Sequence, residues 1–168
     1  MAGVTAALAQ VSFNLPYTPV PFTLQVLGVV LSGMLLGSRM GALAQIEYLM
    51  LGFAGAPVFA GWHGGIMSLV GPSGGYLPGF VVGAFITGLI VERSREKTAP
   101  HAFAAGMAGV AALYMCGVSW LTVWVAATGM ASPSLSALFL GIVPFIGFDA
   151  IKVTVAAMIA TGGNRWRV

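Results

Sequence analysis

Long uncharged apolar stretches, broken by short turns, set the pattern of this chain. A helix that crosses a bilayer needs about 20 apolar residues, within a range of about 17–25. Residues 2–15 carry no charge and end at Pro16, short for a span. Residues 22–38 and 76–91 are uncharged, and 40–59 are interrupted only by Glu47. Residues 102–131 form an unbroken uncharged run, enough for a span and a loop. Residues 134–163 hold only Asp149 and Lys152, and Pro144 and Gly147 divide them. The pattern predicts a short interfacial helix over 134–143 and a last span from near Gly147. The expected architecture is therefore an all-α integral membrane protein, a single domain over 1–168 with six transmembrane helices, the first short.

Charge placement orients this arrangement. With six spans, the turns after the second, fourth and sixth lie on the same side as both termini. Those turns hold Arg39, then Arg93, Arg95 and Lys97, then Arg165 and Arg167, which is six of the seven cations. The positive-inside rule makes that face, and both termini, cytoplasmic. Five or seven spans would scatter the cations over both faces. The N-terminus lacks a basic n-region, and only nine residues precede the signal-peptidase-like Ala7-Leu8-Ala9 cut. That is too few for a signal peptide, so a first helix close to Met1 is expected.

Composition narrows the function classes. The 168 residues are 58% hydrophobic and 7% charged, against about 25% charged in soluble domains. A soluble globular or disordered chain is excluded. Cys116 is the single cysteine, so an intramolecular disulfide or a cysteine metal cluster is excluded. The net charge of +3 rests on seven cations, too few for a nucleic-acid surface. No G-x-x-x-x-G-K-[ST] loop is present, so uphill transport would need a partner that hydrolyses ATP.

Candidate chemistry gathers on the outer side. Pro16, Pro19 and Pro21 stiffen the first outer loop. The second, over 57–76, contains Gly61-Trp62-His63-Gly64-Gly65 and Gly71-Pro72-Ser73-Gly74-Gly75-Tyr76, whose glycines let backbone approach a ligand. The third covers 128–148. A stiff loop beside a glycine-rich one suggests a lidded pocket. Asp149 and Lys152, three apart, share a helix face about 5–6 Å apart at Cβ. They are the charges expected on the outer half, and charges at membrane depth usually face an interior or a cavity. A carboxylate there accepts N–H groups and an ammonium meets an acceptor; the plainer alternative is a structural ion pair at a helix start. Tyr76 and the Gly71–Tyr76 backbone are candidate ligand wall or simply a tight turn. His63 is more readily a solvated loop residue, and without a second histidine nearby a metal site is not expected. Glu47, on the inner half, fits snorkelling or a partner contact better than the pocket. Ala2 and Ala6, like Gly33, Gly37 and Gly41, are small-residue steps that allow close helix approach within the bundle or to another subunit.

Several of these segments together resemble the BioY family. They are the 9–12 stretch Ala-Gln-Val-Ser, the first loop from Leu15 to Gln25, Leu36 to Ala42, Gly55 to Gly61, Gly71 to Phe80, Pro144-Phe145 and Asp149-Ala150-Ile151-Lys152. The resemblance runs in order over nearly the whole chain. It implies a biotin-binding S component of an energy-coupling-factor (ECF) vitamin transporter in the cell's inner membrane. The six-helix fold would capture biotin at the outer face. It would work with a transmembrane coupling subunit and two ATPases, or through self-association, with biotin as cargo and no cofactor. It further implies that Asp149 and Lys152 contact biotin, and raises His63, Ser73, Gly74, Gly75 and Tyr76 as pocket residues and Ala2 and Ala6 as the docking step. Asp149 is expected on the ureido N–H groups, with Lys152 on either the ureido oxygen or the valerate tail. The rivals are an S component for another vitamin and an intramembrane enzyme using Asp149, His63 or Glu47. Against the enzyme, H-E-x-x-H is absent.

Overall fold

The computed structural model describes residues 1–16, 18–94, 98–127, 129 and 133–162. Tyr17, Arg95, Lys97, Arg165 and Arg167 of the sequence reading lie outside them. The described chain is helical apart from one two-stranded ribbon: α1 (Ala2–Ala9), β1 (Ser12–Phe13), β2 (Phe22–Thr23), α2 (Gln25–Phe53), α3 (Tyr76–Arg93), α4 (Ala99–Ala127), α5 (Pro133–Gly141) and α6 (Ile146–Gly162). Among the described residues, four stretches are long and apolar enough to cross a membrane: Gln25–Phe53, Tyr76–Arg93, Ala99–Ala127 and Ser136–Gly162.

The ribbon shortens the expected first segment. The helix stops at Ala9, and eight residues rise only about 12 Å. Ser12 then pairs with Thr23, and Phe13 with Phe22, in antiparallel register. Pro16, Pro19 and Pro21 fall in the connection between the strands, where no ladder N–H is demanded of them. Apolar character over 2–15 therefore marks a helix followed by a hairpin strand.

α2 is two helices joined at Gly37, whose φ of 78° is the left-handed conformation that glycine adopts freely. The chain doubles back there, so residues 25–36 and 38–53 lie side by side. Gln25 donates to the Tyr48 hydroxyl at 2.7 Å and Gln45 to the Ser32 hydroxyl at 2.7 Å. The new helix start is capped by α3: the Glu92 carboxylate accepts from the Ser38 N–H and hydroxyl, both at 2.7 Å. An anion at a helix N-terminus meets both the free N–H groups and the dipole. Gly88 allows the approach, since a Cβ there would lie 2.4 Å from the Gly37 backbone. The break between the second and third expected spans is thus a hairpin beside Arg39. The 40–59 run ends as helix at Phe53, because Gly55 (φ 100°) closes a Schellman turn: Ala56 N–H to Leu51 C=O and Gly55 N–H to Gly52 C=O.

α2 packs on α1, α3 and α6, while α4 packs on α3, α5 and α6. Val29, Met34, Ala84, Val110, Leu121 and Val153 are fully buried between them. The outer flanks stay apolar as well, with Met50, Met115, Val123 and Met158 exposed. Glu47 is also exposed on α2, outside the cavity lining. The short helix before the last span is present as α5, and α6 begins at Ile146. α3 runs from the cavity at Tyr76 to the Gly37 corner at Arg93, 18 residues or about 27 Å.

Candidate functional site

A cavity of about 400 Å³ opens at the end of the bundle opposite the Gly37 corner, within the usual range of about 300–1,000 Å³ for small-molecule sites. Its walls come from distant parts of the chain. The ribbon contributes Pro19, Val20, Pro21 and Thr23, and α2 contributes Gln25. The loop between α2 and α3 contributes Phe59, His63 and Ser73. Tyr76, Tyr114, Asp149 and Lys152 enter from α3, α4 and α6.

The polar centre is small and closely coupled. Asp149 lies in the first turn of α6, its N–H donating to the Phe145 carbonyl at 2.8 Å. Lys152, one turn on, donates to Asp149 Oδ1 at 2.6 Å, and the Tyr114 hydroxyl donates to Oδ2 at 2.5 Å. Asp149 and Lys152 are 2% and 5% exposed, so this ion pair is desolvated and its partners are not interchangeable with solvent. The Lys152 ammonium also sits 4.1 Å from the centroid of the Phe22 ring, a cation–π contact with the ribbon. Each carboxylate oxygen keeps a lone pair, and the ammonium has three donors, so the pair can serve a ligand that offers N–H and C=O side by side.

Two hydrogen-bond chains hold the cavity walls. Thr18 of the ribbon connection donates to the Leu140 carbonyl of α5 at 2.7 Å. Thr23 donates to Gln25 (2.9 Å), Gln25 to Tyr48 (2.7 Å), and Tyr48 to the Val58 carbonyl (3.1 Å). The second chain links the ribbon to the α2–α3 loop through the buried core.

The structure brings together Asp149, Lys152, Tyr76, Ser73 and His63 around one cavity. Tyr76 fixes α3 to α5 by donating to the Gly141 carbonyl at 2.9 Å. His63 is exposed at the rim, its Nδ1 2.9 Å from the Ala60 carbonyl. Gly74 and Gly75 are not in the lining. A Cβ on Gly74 would stand 1.9 Å from the Leu69 carbonyl oxygen, and one on Gly75 2.2 Å from Trp120 Cβ. They let the loop close on α4, where Trp120 Nε1 donates to Gly71 C=O at 2.9 Å. Ala2 is buried against the bundle and Ala6 is half-buried, so Ala2 is not presented to another subunit; Gly3 and Ala7 are the exposed small residues of α1. Tyr114, Phe22 and Gln25 were not singled out from sequence. Tyr114 stands 35 positions from Asp149, and its one signal is a hydroxyl on the buried stripe of Val110, Leu113, Gly117 and Leu121. Among the described residues no group of three or more His, Cys, Asp or Glu could hold a metal ion.

Comparison with known proteins identifies the lineage. The BioY family model matches residues 1–167. The chain belongs to the BioY family. It is 45% identical over 161 residues to the biotin transporter BioY of Thermotoga maritima, covering 95% of this chain and 90% of that protein. The Rhodobacter capsulatus biotin transporter BioY is 40% identical over 173 residues, covering 95% and 89%. Among solved structures, the S-component for biotin from an ECF-type ABC transporter superposes with a TM-score of 0.86 at 26% identity, over 97% of this chain and 86% of that one. The BioY fold thus accounts for the helical arrangement around the cavity.

Proposed function

We propose that this protein binds biotin in the 400 Å³ cavity and mediates its uptake as the S component of an ECF transporter. The observation that carries the reading is the buried Asp149–Lys152 pair facing an otherwise largely apolar cavity. Biotin has matching parts. Its ureido ring offers two N–H donors flanking a strong acceptor, and its thiophane ring and chain are apolar. Asp149 accepts the ureido N–H, and Lys152, 2.6 Å away, donates to the ureido oxygen. The valerate carboxylate then lies toward the rim, near His63 and Ser73. Ligand and protein part unchanged, so the process is binding and release rather than turnover.

In this reading six segments lie across the cell membrane: the short α1, 25–36, 38–53, α3, α4 and α6. Both termini lie on the cytoplasmic side with Arg39 and Arg93, and the cavity faces out. The reversal at Gly37 and the apolar flanks support this. Ala6, with Gly3 and Ala7, gives α1 a small-residue face for a transmembrane coupling subunit, which two ATPases would drive. The Lys152 role has a direct test. Lys152→Gln should weaken biotin and biotin amide equally, by tenfold or more in titration calorimetry. A loss seen for biotin alone would move Lys152 to the carboxylate tail.

A further inference from the structure

The loop between α2 and α3 has a second face. Ala60, His63, Ser68 and Gly71 turn toward the cavity. Trp62, Ile66, Met67 and Val70 turn away from it and are 70%, 65%, 72% and 58% exposed. Four large apolar side chains thus stand exposed within nine residues of one loop. No Asp, Glu, Lys or Arg occurs anywhere from residue 48 to 91. A loop built to lie in water would carry charge; this one carries none.

The backbone holds this outward presentation. Trp62 has a φ of 62°, an uncommon conformation for a bulky residue. It is held there by Gln10 at the end of α1, whose Oε1 accepts from the Trp62 N–H at 3.0 Å and whose Nε2 donates to the Phe59 carbonyl at 3.3 Å. On α2, just before the loop, Met50 and Leu51 are also exposed, at 66% and 48%. That helix is one of the stretches long and apolar enough to cross a membrane.

We infer that residues 62–70 are a lipid anchor, seated in the headgroup–acyl boundary of the bilayer at the cavity end while the opposite face of the same loop walls the cavity. Trp suits that boundary because its ring is apolar and its N–H is polar. Uncharged Ile, Met and Val fit the acyl side of it. The depth of the loop in the bilayer then sets the position of the His63–Ser73 wall.

The test uses the full chain in lipid nanodiscs of phosphatidylethanolamine and phosphatidylglycerol. In a Cys116→Ser background, Ile66→Cys and Met67→Cys are each labelled with a nitroxide, and collisions with oxygen and with nickel-EDDA are measured. Met115→Cys, on the exposed flank of α4, is the lipid reference, and Asn14→Cys the water reference. The expected result is the lipid signature at both positions, high oxygen and low nickel, at a shallower depth than Met115. A water signature, high for nickel, overturns the inference. Protection from both agents also overturns it, since a second copy or another subunit would then cover the patch. A second measurement needs no cysteine: brominated lipids should quench a component of the tryptophan fluorescence that Trp62→Phe removes. Equal quenching with and without Trp62 overturns the inference as well.

Discussion

Asp149 and Lys152 act as a pair because neither can satisfy the other's surroundings alone. A lone buried charge is costly, and breaking a buried pair by removing one partner costs about 3–5 kcal/mol. Lys152→Met should therefore lower the thermal midpoint of the ligand-free protein more than the double change Asp149→Asn with Lys152→Met. The double variant should regain stability yet bind no biotin, which separates folding from binding when thermal shift and titration are run together. Tyr114→Phe removes the donor to Asp149 Oδ2 and leaves that carboxylate less firmly placed. A hydrogen bond to a charged group contributes about 1.5–3 kcal/mol to stability, so the thermal midpoint of the ligand-free protein should fall. Biotin affinity, read by titration calorimetry, should fall as well, because the carboxylate is no longer held where it meets the ureido N–H. The Asp149–Lys152 pairing was legible because a spacing of three is a local, helical property. Tyr114 was not, because its contact with Asp149 depends on how α4 packs on α6. His63 and Ser73 were legible as loop residues of the cavity side. Gly74 and Gly75 resembled ligand-approach glycines, and only the packing of Trp120 reveals that they serve a helix–loop contact.

At the level of elements, charge and glycine positions told more than hydropathy. Arg39 flagged a turn, and the reversal lies two residues before it, at Gly37. The sequence did not reveal that this turn is stabilised from α3, since Glu92 is more than fifty positions away. Removing that cap with Glu92→Ala strips both acceptors from Ser38. Losing an N-cap interaction costs about 0.5–2 kcal/mol. The thermal midpoint should fall by a few degrees, with biotin stoichiometry unchanged because the corner lies some 27 Å, by helix rise, from the cavity. Loss of binding in a folded Glu92→Ala protein would show that the corner and the cavity are coupled. The first helix is shorter than its apolar run for a physical reason. An apolar run of fourteen residues satisfies the composition of a short span, yet Ser12 and Phe13 gain more from pairing with Phe22 and Thr23. Hydropathy alone cannot tell a short apolar strand from a helix end.

Across the whole molecule, one end carries the cavity and the other the Gly37 corner with Arg39 and Arg93. The ribbon, the α2–α3 loop and α5 meet around the cavity through Thr18, Gln25 and Tyr48, so the walls form one hydrogen-bonded frame. Such a frame limits the ordering that a ligand must impose when it enters. In the proposed function this frame holds biotin on the Asp149–Lys152 pair. Calorimetric titration of biotin into the purified protein, beside folded Asp149→Asn, tests it most directly. Tight one-to-one binding is expected, weakened at least tenfold by the substitution, about 1.4 kcal/mol. Absence of binding by the folded wild-type protein, or binding that Asp149→Asn leaves unchanged, would contradict it.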